Sequence, residues 1–234
     1  MNTESLQEQF FERLINGDRP GARRLVAESL AAGIPPAQLI GAVFWPTYEL
    51  IERLHRSDQL STISRHLSTR LLRVLVDQTA ARLDAPQNPS RSVFAVCGPN
   101  DADELGAQMA VDLLEAGGCA VRFAGGGIPN DEILAQLHES QPDVLLLFAS
   151  APSDLPNIRA LIDTMREINA CARTQIVVGG GVFNRAEGLA EEIGADLWAA
   201  DPIELVELVL AGPQRRAVPE QRTVGRQRRK RAAA

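Results

Sequence analysis

Three carboxylates stand close together in the segment of residues 98–106, and they are the first candidates for chemistry in this chain. Asp101, Asp103 and Glu104 lie within four residues, and Gly106 closes the segment. Clustered carboxylates can hold a metal ion or a cofactor, but acidic side chains at the start of a helix also interact favourably with the helix dipole. A helix-like run follows at residues 108–116. From this segment alone, helix capping is therefore favoured over a binding site.

Two triple-glycine segments offer a second kind of site, in which a ligand lies against the main chain. Residues 125–127 and 179–181 are each Gly-Gly-Gly, and each follows a strand-like run. Glycine leaves room for a flat or bulky ligand to approach the backbone. Neither segment matches a dinucleotide fingerprint or a phosphate-binding P-loop. A tight turn explains one such segment, whereas two at the same end of one sheet favour a binding cleft.

Hydroxyl groups and imidazoles complete the set of candidates. Ser150 directly follows a strand-like run and is a candidate ligand, while Ser153 or Asp154 can instead cap the next helix. The histidines are His55, His66 and His138. His66 borders an apolar helical face, and both a structural role and a ligand role stay open for it. No nucleophile with a neighbouring base is recognisable, so the chain is expected to be a binding or regulatory protein rather than an enzyme.

The elements that must position these residues fall into two predicted domains. Helical spacing recurs through residues 1–84 and predicts four helices with short connections, which is a small bundle. A segment rich in Pro and Asn at 85–91 is the expected linker. In residues 92–212 five short apolar runs alternate with helix-like segments. The runs are 93–97, 120–124, 144–149, 176–178 and 196–199, and the segments lie near 104–116, 130–139, 155–169, 185–193 and 203–211.

This alternation predicts an α/β domain with a doubly wound, five-stranded parallel sheet. The middle runs are almost continuously apolar, which is typical of strands buried on both faces. Ligands of such sheets bind at the carboxyl ends of the strands. The acidic segment, the two glycine segments and Ser150 all follow strands, so they are expected to lie at this end.

Charge is unevenly distributed along the chain. The net charge is −6, but residues 215–234 contain eight basic residues against one acid, so the rest of the chain carries −13. We expect the segment 213–234 to be a solvated, disordered tail, and a weak contact with a polyanion or an acidic partner is the alternative. The tail contains no aromatic residue, which disfavours sequence-specific binding of single-stranded nucleic acid.

Composition also bears on the compartment. The N-terminus is polar and acidic rather than signal-like, and no apolar run approaches the ~20 residues that span a bilayer. The three cysteines are widely spaced in apolar surroundings, which favours reduced, packed thiols. A cytoplasmic protein without a membrane segment is the expectation.

Taken in order, these motifs resemble the two-module cobalamin-binding proteins, in which a four-helix domain precedes a flavodoxin-like B12-binding domain. The resemblance covers residues 6–211. In the first module it rests on the segments 14–18, 31–35 and 60–66. In the second it rests on Asp101-x-x-x-x-Gly106, Gly-Ile-Pro at 127–129, Val-Val-Gly-Gly at 177–180 and Ile-Gly-Ala-Asp at 193–196.

The resemblance implies a cobalamin cofactor, with the corrin ring between the helical domain and the carboxyl ends of the strands. The nucleotide tail would enter a slot beside the first strand, lined by Ser150, Gly179 and Gly180. Asp101 would orient the lower cobalt ligand. The other residues expected at the cofactor site are Asp103, Gly106, Gly127 and Ser153.

Asp103 departs from the family pattern. Its position usually carries the histidine that coordinates cobalt from below, and an aspartate oxygen is a harder donor with a shorter reach. Light-sensing relatives carry a tryptophan and a Glu-His pair above the ring. The matching positions here are His55, Arg65 and His66, so only the last is kept. His66 is the candidate upper cobalt ligand, and His55 is the second choice.

Three functions follow from these observations. The sequence favours a cobalamin-binding sensor or regulatory protein that lacks the lower histidine and acts on a protein partner. The first alternative is a degenerate B12-like module that binds no corrin and acts through protein contacts. The second is a corrinoid carrier subunit of a methyltransferase system, which would need a replacement for the lower ligand.

Overall fold

The computed structural model describes residues 3–84, 86–169 and 171–217, apart from the side chains of Asp101 and Ala102. The chain forms two compact units, Met1–Pro86 and Gln87–Ala234. The predicted linker at 85–91 spans this division, and its last residue already belongs to a strand. Beyond Ala217 the predicted basic tail lies outside the described residues.

The first unit is helical, as predicted. Its helices are α1 (Thr3–Ile15), α2 (Arg19–Ala31), α3 (Pro36–Leu39), α4 (Trp45–Arg56) and α5 (Thr62–Ala80), with a π-helical turn at Ile40–Phe44. Asp18 caps α2 by accepting a hydrogen bond from the Gly21 amide at 2.9 Å, and Ser61 caps α5 by accepting one from the Ser64 amide at 3.1 Å. Side-chain oxygens at these positions satisfy amides that have no partner within the helix.

Helical spacing places the third of the four predicted helices at about residues 37–54, and the π turn interrupts it. Pro46 has no backbone N–H, so it cannot donate to the carbonyl four residues earlier. The amide of Trp45 donates to the carbonyl of Ile40, five residues back. The wider turn lets the helix continue through the proline.

Apolar side chains of α1 form the centre of the first unit. Leu6, Phe10 and Leu14 are buried, and the ring of Phe10 stacks on that of Phe44 with centroids 4.8 Å apart. Each such side chain stabilises the fold by roughly 1.5–3 kcal/mol when it is fully buried.

Helix α5 buries only part of the apolar face that its sequence predicts. Leu71 and Leu75 are buried, whereas Ile63 is 74% exposed and Leu67 is 46% exposed. The first two turns of α5 therefore present apolar side chains that the first unit leaves uncovered.

The second unit contains the predicted parallel sheet. Its strands are β1 (Arg91–Cys97), β2 (Cys119–Gly126), β3 (Val144–Phe148), β4 (Gln175–Gly179) and β5 (Leu197–Ala199). All neighbours are parallel, and the order across the sheet is β2-β1-β3-β4-β5. The direction of the order reverses beside β1, which is where ligands of such sheets bind.

The helices of the second unit follow the prediction except after β4. They are α6 (Asp101–Ala116), α7 (Asn130–Ser140), α8 (Leu155–Glu167), α9 (Gly181–Asn184), α10 (Leu189–Ile193) and α11 (Pro202–Ala211). The single helix expected near 185–193 is wrong. Gly188 adopts a left-handed conformation with φ of 78°, so the chain turns there and only the short helix α10 follows.

Apolar layers cover both faces of the sheet. On one face Leu145 and Leu147 pack with Ile162 of α8, and on the other Leu146 and Val177 pack with Leu114 of α6. Burial on both faces accounts for the continuous apolar runs. None of the helices in the described part of the chain has the length and apolar character needed to cross a membrane.

The chain after α11 is fixed to the amino ends of the strands. Gln175, the first residue of β4, donates through Nε2 to the carbonyls of Gly212 and Arg215 at 2.8 and 2.9 Å. The amide of Ala217 donates to the buried carboxylate of Asp196, just before β5, at 2.7 Å. The described chain thus leaves the sheet at the end opposite to its carboxyl-end loops.

Candidate functional site

Strand register brings the candidate loops of the second unit side by side. Cys97 of β1 lies beside Phe148 of β3, and Phe148 lies beside Gly179 of β4. Backbone bonds continue past the strands, since the Gly98 amide donates to the Phe148 carbonyl and the Ala149 amide to the Gly179 carbonyl, both at 2.9 Å. The loops after β1, β3 and β4 therefore form one edge.

Asp103 lies in the first turn of α6 and points into the protein. It is 1% exposed. Its Oδ2 accepts a hydrogen bond from Nδ2 of Asn100 at 3.3 Å, while Oδ1 is buried without a hydrogen-bond partner among the described residues. Burial raises the pKa of the Asp103 carboxyl; hydrogen bonds from Ser150 and Asn100 lower it, and the charge of Asp154 raises it. Loss of hydration is the largest effect because it disfavours the charged form.

A second carboxyl group, that of Asp154, lies close to Asp103 at Gly98. A Cβ atom built on Gly98 would lie 2.5 Å from Oδ2 of Asp103 and 2.7 Å from Oδ2 of Asp154. Within the described residues, the Asp154 Oδ2 is also buried without a hydrogen-bond partner. No group of three or more metal-binding side chains occurs in the part of the chain that the structure describes. The two acids are thus a close pair and not a recognisable metal centre.

Two other residues of the acidic segment had predicted roles. Asp101 is the first residue of α6, and the prediction for its side chain lies outside the described residues. Gly106 is buried within the same helix.

Three of the four predicted site glycines belong to the triple-glycine segments, and they differ in what surrounds the position of an added Cβ atom. Gly180 has φ of 105°, and a Cβ there would lie 2.2 Å from the carbonyl oxygen of Ala149. Gly127 has φ of 74°, and nothing lies within 4 Å of its Cβ position. The Cβ position of Gly179 meets only the Phe148 ring, at 3.8 Å. The backbone itself requires glycine at Gly180, whereas Gly127 borders open space.

The loop after β3 places its two serines differently. Ser150 is half-buried and reaches the Asp103 carboxyl, and its carbonyl accepts a hydrogen bond from Nη2 of Arg185. Ser153 is exposed and lies 3.4 Å from Oδ1 of Asp154. No side-chain cap bond is formed at the start of α8. Ser150 therefore belongs to the cluster around Asp103, and Ser153 lies at its rim.

The two candidate histidines of the first unit differ in exposure and in hydrogen bonding. His66 is exposed on α5. His55 is half-buried at the end of α4, and its Nδ1 lies 3.1 Å from the carbonyl of Leu60, within hydrogen-bond distance. The neighbour of His66, Arg65, binds Glu52 with two hydrogen bonds of 2.8 and 3.2 Å. Of the two imidazoles, that of His66 is the more available to a ligand.

Sequence reasoning missed Asp154 and Arg185 as parts of this edge. The sequence indicates Asp154 only as a helix cap, and it places Arg185 in a helix. The signal that could have found Asp154 is its position four residues after Ser150, in the loop that follows the central strand β3.

Family models match both units of the chain. A model described as a B12 binding domain matches residues 91–207, which is half of the chain. A second model with the same description matches residues 6–79. The two matches fall one on each unit.

Curated relatives and solved structures agree with these matches. The chain is 22% identical to monomethylamine corrinoid protein 2 of Methanosarcina acetivorans, over 86% of this chain and 96% of that protein. It is 26% identical to dimethylamine corrinoid protein 3 of Methanosarcina mazei, over 45% and 62%. Its fold is similar to the Methanosarcina barkeri monomethylamine corrinoid protein, with a TM-score of 0.78, 17% identity and coverage of 90% and 99%.

Proposed function

Because the chain belongs to the family of proteins with a B12 binding domain, we propose that it is a corrinoid-binding carrier subunit of a methyl-transfer system. The match to a methylamine corrinoid protein over 96% of that protein's length carries the proposal. It favours the carrier over the regulator that the sequence alone put first. It also disfavours a module without corrin, since both parts of the chain match B12 models.

The residues at the carboxyl edge fit such a cofactor in part. Gly127 borders open space and Gly179 has only one distant neighbour at its Cβ position, so a large ring system can approach the main chain there. We assign Ser150, Ser153 and Gly180 to the same binding edge, together with Asp101 and Gly106 at the start of α6. A bound corrinoid would supply the cobalt on which a methyl group is carried.

Asp103 does not fit the role of a lower cobalt ligand. It offers a hard oxygen where cobalt of this class prefers imidazole, and burial raises the pKa of its carboxyl. We therefore propose that this chain provides no ligand below the cobalt, and that Asp103 instead stays buried beside Ser150.

The first experiment tests corrinoid binding. Purified protein is mixed with hydroxocobalamin and with methylcobalamin, desalted in the dark and examined by visible spectroscopy. We expect about one corrinoid per chain. Protein that elutes colourless with both forms would refute the proposed function.

The second experiment tests the missing lower ligand. The loaded protein is reduced to the Co(II) state and its electron paramagnetic resonance spectrum is recorded. A nitrogen ligand splits the cobalt lines into triplets, because the ¹⁴N nucleus has spin 1. With cobinamide, which carries no base of its own, we expect no triplets in the natural protein and triplets in Asp103→His. Asp131→His, the same change at an exposed position on α7, is the matched control. Triplets in the natural protein would contradict the role of Asp103.

The third experiment tests whether the bound cobalt can accept a methyl group, as a carrier requires. After reduction to Co(I), the loaded protein is treated with methyl iodide, and a carrier is expected to become methylated in a stoichiometric amount. His66→Ala is tested in parallel, since His66 is the candidate upper ligand. Retention of adenosylcobalamin alone, with a change in sedimentation on illumination, would favour the regulator.

A further inference from the structure

A cavity opens beside the carboxyl ends of β1 and β3, between α7 and α8. Its volume is about 310 Å³, which is within the range of small-molecule sites. Its walls are largely aliphatic, with contributions from Val96, Leu147, Ile133, Ile158 and Leu161. It lies on the face of the sheet opposite to α6, because Val96 and Leu147 belong to the apolar layer under α8.

This cavity shares only Gly127 with the residues assigned to the corrinoid. Its lining includes Gly127 but not Ser150, Gly179 or Gly180. The proposed cofactor site therefore leaves the space between α7 and α8 without a function.

One acidic group interrupts the apolar wall. Asp154 lines the cavity, and its Oδ2 is buried without a hydrogen-bond partner among the described residues. A buried acceptor without a partner destabilises a protein unless a ligand or water supplies a donor. Asn130 and Asn157 also line the cavity. The side chain of Asn130 already donates, from Nδ2 to the main-chain carbonyl of Asn157 at 3.0 Å. The Oδ2 atom of Asp154 is thus the acceptor in the cavity that a hydrogen-bond donor of a ligand would satisfy.

We propose that this cavity binds a small organic ammonium ion, with the apolar body between α7 and α8 and the charged nitrogen at Asp154. An aliphatic wall with one carboxylate selects an amphiphilic cation over a neutral hydrocarbon and over an anion, since a hydrogen bond between ions is stronger than one between neutral groups. The inference goes beyond the proposed function and does not depend on it. Because Asp154 acts electrostatically on Asp103, the bound cation lowers the pKa of the Asp103 carboxyl.

The probe is benzylammonium chloride, and its neutral isostere is benzyl alcohol. Binding to the full chain, without corrinoid, is measured by calorimetry and by saturation-transfer NMR. We expect one saturable site for benzylammonium. Benzyl alcohol is expected to bind at least about tenfold more weakly, which is the scale of one charge-assisted hydrogen bond.

Three variants locate the site. Asp154→Asn keeps the shape and removes the charge, so it is expected to weaken benzylammonium at least about tenfold without changing benzyl alcohol. Ile158→Phe fills the cavity and is expected to weaken both compounds. Asp131→Asn, the same change at an exposed position on α7 outside the cavity lining, is expected to bind like the natural chain. Circular dichroism confirms that each variant is folded.

A last comparison tests whether the cavity is part of the corrinoid site. Benzylammonium binding is repeated on protein loaded with cobalamin, which has a nucleotide tail, and with cobinamide, which has none. Unchanged binding in both supports a separate site. Loss with cobalamin alone would identify the cavity as the tail slot and overturn the proposal, as would equal binding by Asp154→Asn. These results are distinct from a failure of the proposed function, which is a protein that retains no corrinoid.

Discussion

Replacing Gly180 by alanine tests whether the glycine after β4 is required by the backbone or by a ligand. Gly180 has φ of 105° and ψ of 163°, a combination that is essentially restricted to glycine. The added methyl carbon would lie 2.2 Å from the carbonyl oxygen of Ala149 and 2.8 Å from its carbonyl carbon. Both atoms belong to the main chain, so no side-chain rotation can relieve the contact.

The expected loss of stability combines two effects. Placing an L-residue in this region costs about 1–3 kcal/mol, and forcing extra atoms into a packed site typically costs about 1–3 kcal/mol more. We expect Gly180→Ala to lower the free energy of unfolding of the second unit by the sum of the two, about 2–6 kcal/mol. Gly127→Ala is the matched control, because Gly127 also has positive φ but open space around it. Strain alone predicts a loss of about 1–2 kcal/mol there.

Fluorescence can follow the second unit alone. The chain has two tryptophans, Trp45 in the first unit and Trp198 in the second. In a Trp45→Phe background, urea unfolding reported by Trp198 gives the free energy for the second unit. At about 2–4 °C per kcal/mol for a unit of this size, the melting temperature of Gly180→Ala should fall by roughly 4–24 °C.

All measurements are made without corrinoid, so a ligand cannot contribute. If Gly180→Ala and Gly127→Ala unfold at the same urea concentration, within about 0.5 kcal/mol, the contact with the Ala149 carbonyl does not restrain this loop. The glycine would then have to be explained by the approach of a ligand.

Three further changes test other parts of the fold. Burial raises the pKa of the Asp103 carboxyl, so at a pH above that pKa Asp103→Asn should increase the free energy of unfolding. The expected gain is about 1.4 kcal/mol for each pH unit by which the pKa is raised. At a pH below the pKa of the unfolded state, Asp103 is protonated in both the folded and the unfolded protein. A stabilisation by Asp103→Asn that persisted at such a pH would contradict a buried charge as its source. Asp196→Ala should cost about 2–4 kcal/mol in urea unfolding, since its buried carboxylate accepts two backbone hydrogen bonds of 2.7 Å. Asp163→Ala removes a partly exposed ion-pair partner and should cost under about 0.5 kcal/mol. Equal losses in the two variants would refute the distinction between a buried and a partly exposed carboxylate. Arg65→Lys should lose one of two hydrogen bonds to Glu52 and about 1 kcal/mol in thermal unfolding, and an unchanged melting temperature would show that this ion pair does not stabilise the first unit.

Most of the fold could be predicted from the sequence because it depends on local patterns. The runs at 93–97 and 144–149 are apolar throughout, and they became strands buried on both faces. The π turn before Pro46 was not predicted, because it depends both on the missing amide hydrogen of the proline and on the packing of the helix. The break at Gly188 was also missed, since glycine alone does not say whether the backbone will turn left-handed.

The sequence predicts at which edge of the sheet the candidate site lies, but not which side chains are in contact there. The order of strands and loops put Asp103, Ser150 and Gly180 at one end. The closeness of Asp103 to Asp154 depends on the register between β1 and β3 and on the side-chain directions, and no pattern in the sequence encodes these. For the same reason the requirement for glycine at Gly180 became visible only with the Ala149 carbonyl beside it.

Residues 212–217 are anchored at the amino ends of the strands, so the second unit carries its candidate loops at one end of the sheet and the exit of the described chain at the other. The carboxyl-end loops are separated from Gln175 and Asp196 by the length of a strand, about 16 Å for five residues. Anything joined to the chain after Ala217, such as an immobilising tag, a fluorophore or a partner bound to the basic segment, starts from the side that carries none of the candidate loops. A label joined directly after Ala217 should therefore lie at the end of the second unit that is opposite to its carboxyl-end loops.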